Sequence, residues 1–272
     1  MRLAVCSWSL QPTDPEDLVQ KVRACGLDRV QLALSPVVRA PDVWGLVFEV
    51  LQDADISVES GMMETVEEDY SSLESIAQTG GLRPDEHWGA NLEHAQAVAA
   101  LAGYHDLELV TFHAGFLPHD ADDPERAKLL GRLRDVANVF ANQRVKLGLE
   151  TGQESAPTLA SVLTELDHPN VGVNFDPANM ILYGMGDPLE AIRVLASSVV
   201  QIHVKDATPT ETPGTWGAEV AVGSGAVPWF DFFQAAQSCP AEALVIEREA
   251  GATREEDIIT AKQCVTSHGM CC

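Results

Sequence analysis

Basic residues are scarce in this chain. Seventeen Lys and Arg stand against 41 Asp and Glu in 272 residues, a formal net charge of −24. A surface that acidic repels phosphate backbones and anionic lipid heads, so neither nucleic acid nor a membrane is an expected partner. No run of 18 apolar residues is present, and no segment reads as a membrane span. The opening MRLAVCSWSLQP holds only four apolar residues after Arg2, too few for a secretory signal core. A cytoplasmic location is the expectation. The six cysteines (Cys6, Cys25, Cys239, Cys264, Cys271, Cys272) include no C-x-x-C pair and no zinc-finger spacing. Cys6 and Cys25 fall in apolar patterns and read as buried thiols in a reducing compartment. Cys271 and Cys272 suggest no role.

Two further absences bear on fold. There is no Gly-rich G-x-G-x-x-G turn after the first apolar run, which weighs against a nucleotide-binding open sheet. There is no low-complexity segment or Ser/Gly linker, so residues 1–272 read as a single domain.

What is present is a rhythm. Short apolar runs occur at 3–7, 29–34, 56–61, 107–113, 145–150, 171–176, 199–204 and 243–247. Several are nearly continuous in apolar residues, as in parallel strands covered on both faces. Amphipathic helices fall between them. Asp14-Pro15-Glu16, Asp123-Pro124-Glu125 and Asp187-Pro188 each set a capping Asp before a Pro at the first helical position. Gly26 ends the first of these helices, and segments 91–103 and 254–265 are also expected to be helical. Eight strand–helix units of ~34 residues each predict a (β/α)₈ TIM barrel. The long connections 62–86, 114–122 and 207–227 each follow a strand, which places them on the face where such barrels build active sites.

Four consecutive late strands end in groups able to bind a cation: Glu150, Asp176, His203 and Glu247, separated by 26, 27 and 44 residues. In a barrel these converge on one space. Three carboxylates there cannot all remain ionised without a counter-charge, and repulsion with burial raises at least one pKa. A divalent cation relieves this. Two Glu, one Asp and one His form a hard, oxygen-rich set that suits Mn²⁺, Mg²⁺ or Co²⁺. Asp176 is ambiguous by itself, because Asp176-Pro177 is the fourth Asp-Pro pair and has the form of a helix cap. An apolar strand directly before it sets this pair apart from the other three.

The segments ETGQE (150–154), NFDPAN (174–179), HVKDA (203–207) and IEREAG (246–251) resemble the xylose isomerase-like barrel superfamily. The nearest branch is the sugar phosphate isomerase/epimerase group, which includes ketose 3-epimerases. The resemblance runs from CSWSL through the eighth strand. It implies a single divalent metal held by Glu150, Asp176, His203 and Glu247, with Glu150 and Glu247 as an acid–base pair. One would take the proton beside a ketone and the other would return it, by way of an enediolate stabilised at the cation. The expected substrate is a small sugar, the setting carbohydrate metabolism, and assembly into a homo-oligomer is compatible with the family. Two departures qualify the epimerase reading. Asn179 stands where some epimerases carry His, and Pro209 where they carry Arg.

Expected substrate-binding residues are His113, Gln153, Asn179 and Lys205, with Glu154 as a further lining candidate. Trp8 and Trp216 are expected as apolar walls, and Glu64, Glu67, Glu68 and Asp69 as a solvated lid. Two other readings stand beside the isomerase: an inosose-type dehydratase on the same site, and a non-catalytic sugar- or metal-binding barrel. The endonuclease IV-type nucleases of the superfamily need a His-rich three-metal cluster, which this chain lacks in sequence, and its charge opposes DNA.

Overall fold

The computed structural model describes residues 1–212 and 214–270. Cys271 and Cys272 lie outside the described residues. Seven parallel strands come first: β1 (Arg2–Cys6), β2 (Arg29–Ala33), β3 (Ser57–Met62), β4 (Leu109–Phe112), β5 (Lys146–Glu150), β6 (Val171–Phe175) and β7 (Val199–Val204). A short antiparallel ribbon follows, β8 (Asp206–Thr208) with β9 (Ala218–Val220), and then β10 (Ala243–Ile246). β1 to β7 pair in sequence order; β10 pairs with both β7 and β1 and closes the ring. The fold is the expected (β/α)₈ barrel.

The Asp-Pro signals act as caps. Asp14, Asp123 and Asp187 accept from Asp17 N, Glu125 N and Leu189 N, opening helices Pro15–Ala24, Pro124–Asn142 and Pro188–Leu195. Each such cap contributes about 1 kcal/mol. Gly26, at φ +66°, carries the chain out of the first helix in the left-handed region. The expected helices at 91–103 and 254–265 extend over Trp88–Tyr104 and Arg254–Ser267.

The long connections are partly ordered. Segment 62–86 contains the helix Leu73–Thr79, capped by Ser72, and segment 207–227 contains β9. Asp206 explains the second case. Its buried carboxylate accepts from the backbone N–H groups of Ala207, Gly223, Gly225 and Val227 and from the Trp229 indole, at 2.9–3.2 Å. One carboxylate thus gathers both ends of the loop.

The larger apolar core lies between strands and helices, and a small one (Ala4, Cys6, Ala243, Val245) sits among strands β1 and β10. Buried polar side chains link the other strands. Ser60 donates to Gln201 (2.6 Å), Gln201 to Asn174 (3.2 Å), and Asn174 to Glu150 (3.1 Å). This chain of amides ends at the carboxylate on the C-terminal rim.

Candidate metal centre and cavity

Glu150 ends β5, Asp176 follows β6, His203 is the penultimate residue of β7, and Glu247 follows β10. One ligand atom from each lies within 4.8 Å of every other, and all four residues are buried. His203 Nδ1 is 3.4 Å from Glu150 Oε1, 3.8 Å from Asp176 Oδ2 and 3.3 Å from Glu247 Oε2. The four residues read from sequence therefore come together.

Asp176 resolves its ambiguity by dividing its oxygens. Oδ1 accepts from Ala178 N (2.7 Å) and Asn179 N (3.0 Å), capping helix Pro177–Leu182. Oδ2 is buried with no hydrogen-bond partner and faces the cluster, as does His203 Nδ1. Buried polar atoms are rarely left unpaired, and a cation would satisfy both at once. The donor set fits one divalent ion.

Electrostatics of the protein alone follow the same logic. Burial pushes the Asp176 carboxyl up, only partly offset by Lys205 and His203. Burial acts on Glu150 as well, but His113 and His203 outweigh it and hold Glu150 below the usual range. For Glu247, burial is overcome by Lys205 and His203, and its pKa falls well below normal. Burial would lower His203, but Glu150, Cys6 and Glu247 raise it well above an ordinary histidine. One of three carboxyls is thus driven towards its neutral form, as crowding of like charge requires.

Lys205 supplies the resident positive charge. It is 3% exposed and donates to Glu247 Oε2 (2.9 Å) and Glu249 Oε2 (2.6 Å), with Asn179 Oδ1 at 3.5 Å. Burial works against its ammonium, but Glu247, Glu249, Asp176 and Glu219 together hold it well above the lysine value. Trp8 donates its indole N–H to the other oxygen of Glu247 at 2.8 Å. Asn179 Nδ2 donates to Glu150 Oε1 at 3.0 Å.

Above the cluster opens a cavity of ≈ 730 Å³, lined among others by Trp8, His113, Asn179, Tyr183, Lys205 and Trp216. Glu64, Glu67 and Glu68 also border it, while Asp69 turns to Ser71 and Ser75. His113 Nε2 is 3.5 Å from Glu150, and its Nδ1 is buried without a partner. Gln153 is buried beside the cavity wall, its Nε2 3.4 Å from the Tyr183 hydroxyl. Burial alone pushes Glu154 up to about 8.

Several residues were not foreseen in these roles. Trp8 is a hydrogen-bond donor to Glu247 as well as a wall. Gln31 reaches His203 Nε2 at 2.8 Å. Glu219, on β9, accepts from Arg248 at 2.7 Å and braces the strand end beyond Glu247. A lone Gln in the run RVQLAL was the visible signal for Gln31; Glu219 had none.

The fold is a parallel eight-stranded barrel with a carboxylate–histidine cluster, able to hold a metal ion, at its C-terminal mouth. The family profile described as xylose isomerase-like TIM barrel matches residues 64–267, and the chain belongs to that family. The crystal structure of a xylose isomerase domain protein from Planctomyces limnophilus is 30% identical, covering 92% of this chain and 91% of that one, with a TM-score of 0.85. D-psicose 3-epimerase from Clostridium cellulolyticum H10, solved with D-tagatose, shares the fold at 16% identity, TM-score 0.73 and full coverage of both chains. A 3-dehydroshikimate dehydratase of Bacillus anthracis is 21% identical over 75% of this chain and 76% of its own length. The first curated relatives matched, at 31% and 33% identity, are spanned over only 34% and 30% of their length. Among the described residues no helix is long and apolar enough to cross a membrane.

Proposed function

We propose that this chain is a divalent-metal-dependent isomerase or epimerase acting on a keto sugar or a related polyol ketone. The observation that carries the reading is the pair of unpartnered buried atoms, Asp176 Oδ2 and His203 Nδ1, aimed into one four-ligand cluster. Glu150, Asp176, His203 and Glu247 would hold the ion, with Mn²⁺ the proposed metal and Mg²⁺ or Co²⁺ as substitutes. When bound, the ion supplies positive charge where negative charge develops on the substrate's oxygens.

The protein's residues supply the rest. Glu150 and Glu247 are both held as carboxylates; one accepts the proton from the carbon next to the carbonyl, and the other, once it has taken a proton from solvent, delivers that proton to an enediolate carbon. Trp8 and Asn179 hold these carboxylates in fixed orientation, which lowers the reorganisation needed during transfer. His113, Asn179 and Lys205 offer polar groups to substrate hydroxyls, and Gln153 acts through Tyr183. Trp8, Tyr183 and Trp216 present apolar surface to the sugar and limit water. A cytoplasmic location accords with this chemistry.

A second reading, dehydration of a cyclic keto-polyol, is favoured by Lys205, an ammonium placed 2.9 Å from Glu247 at the cavity. Its ammonium lines the cavity and would stabilise negative charge developing on a departing hydroxyl.

The test uses the wild type and Glu247→Gln, with bound divalent metal assayed first. A ketose panel is then incubated in D₂O with Mn²⁺. Metal-dependent deuterium on carbon in wild type, absent in the variant, supports isomerisation or epimerisation. Loss of water from substrate supports the dehydratase. Stoichiometric metal with neither outcome on any substrate overturns both in favour of a binding protein.

A further inference from the structure

Resting on the metal-centre reading, we infer that Gln31 is a positioning residue that sets which nitrogen of His203 faces the carboxylate cluster. Gln31 lies on β2, across the barrel from His203 on β7, and both are buried. Its amide orientation is fixed by its surroundings. Gln31 Nε2 lies 2.8 Å from Thr111 Oγ1 and 3.4 Å from the Gly61 carbonyl. A carbonyl only accepts, so the amide nitrogen belongs on that side and Oε1 on the other. Oε1 then stands 2.8 Å from His203 Nε2. An amide oxygen cannot donate, so a bare Nε2 would face it lone pair to lone pair. The contact is favourable when Nε2 carries the proton, which leaves Nδ1 to offer its lone pair to an ion.

Two competitors are present: Asn174 and, more distantly, Cys6, whose Sγ is 3.9 Å from His203 Nε2. Asn174 Nδ2 is 3.1 Å from the same Nε2 and could donate to it if it were bare. That amide already donates to Glu150 Oε2 at 3.1 Å, and its oxygen accepts from Gln201. The shorter, acceptor-only contact from Gln31 decides the tautomer. Cys6 Sγ is closer to Gln31 Oε1 (3.5 Å) than to His203 Nε2 (3.9 Å), so its thiol donates to the amide oxygen and leaves that oxygen's role unchanged. Hydrogen bonds of this kind, made by the second nitrogen of a ligating histidine, commonly change metal affinity 10–100-fold.

Two variants separate positioning from packing. Gln31→Leu keeps the approximate size and removes the acceptor. Gln31→Glu keeps an acceptor and adds charge. Mn²⁺ affinity is measured by electron paramagnetic resonance titration of each purified full chain. The expected result is a dissociation constant raised about 10–100-fold in Gln31→Leu and within a few-fold of wild type, or tighter, in Gln31→Glu. A packing role predicts the opposite order, because a buried extra carboxylate is worse than a leucine. Independently of either variant, ¹⁵N-histidine NMR of the Zn²⁺-loaded wild type is expected to show His203 protonated at Nε2. A proton at Nδ1, or Gln31→Leu binding Mn²⁺ as tightly as wild type, overturns the inference while leaving the metal centre intact. A wild type that binds neither ion overturns the metal-centre reading and this inference with it.

Discussion

Lys205 Nζ lies 2.9 Å from Glu247 Oε2, a buried ion pair joining neighbouring strands β7 and β10 at the floor of the cavity. Lys205 also neutralises Glu249 and faces Asp176. Replacing it with Met leaves these acids without their cation. Removing one partner of a buried pair costs about 3–5 kcal/mol. Lys205→Met is therefore expected to lower stability in metal-free urea denaturation by that order, and added Mn²⁺ should raise the variant's Tm more than the wild type's. Equal metal-induced shifts would mean that Lys205 and the ion do not share the same carboxylates.

The divided duty of Asp176 predicts a split between two substitutions. Asp176→Asn keeps an oxygen for Ala178 N and Asn179 N and removes the charge aimed at the cluster. Its metal-free stability should match or exceed wild type, while Mn²⁺ binding is lost. Asp176→Ala should lose the metal and also about 0.5–2 kcal/mol of capping. Calorimetric titration with Mn²⁺ and denaturation of the metal-free forms distinguish them. Full Mn²⁺ binding by Asp176→Asn would remove Asp176 from the ligand set.

Glu154 gives a pH signature. Burial raises its pKa from 4.5 to about 8. Below about pH 4.5 the group is protonated in both states. Between 4.5 and 8 the unfolded chain releases its proton and the folded one retains it. Stability contributed by Glu154 therefore falls as pH rises through this window, with a slope approaching about 1.4 kcal/mol per pH unit. Glu154→Gln has no such proton to lose. Its stability relative to wild type should climb from pH 4.5 to 8 and then level off. Parallel denaturation curves across that range would show that Glu154 is solvated.

Asp206 predicts a loop phenotype. Asp206→Ala orphans four backbone N–H groups and the Trp229 indole, each worth about 1–3 kcal/mol when buried and unpaired. Gly225→Ala would drive a methyl group into the Asp206 carboxylate. Both should destabilise the protein and speed hydrogen exchange across 207–227, and both should raise KM through Trp216 more than they lower metal affinity. Unchanged exchange in that loop would refute the role given to Asp206.

The eight barrel strands were legible because each is an apolar run at regular spacing, and a parallel strand covered on both faces needs little else. β8 and β9 were not legible. Three residues each, they carry no alternation, and what holds them is Asp206, whose partners are up to 23 residues away. The helix Leu73–Thr79 was hidden because only Ile76 in it is buried, leaving no apolar stripe. The clustering of Glu150, Asp176, His203 and Glu247 was readable because each sits at a strand end, where sequence position fixes direction. Gln31 was not readable in its role, since its partner lies 172 residues away and only closure of the ring brings them together. For Asp176 the sequence posed cap against ligand, whereas a carboxylate has two oxygens and can serve both.

The strand order has a consequence for how the site is tied together. Glu150, Asp176 and His203 lie on β5, β6 and β7, which pair in succession and form an arc of the ring. Glu247 follows β10, which sits between β7 and β1, and Trp8, just past β1, donates to it. Three of the four groups of the cluster therefore come from one arc of adjacent strands, and the fourth from the strand that closes the ring. An ion held by all four would tie the closing strand β10 to the β5–β7 arc, and Trp8 would carry that tie on to β1 through Glu247.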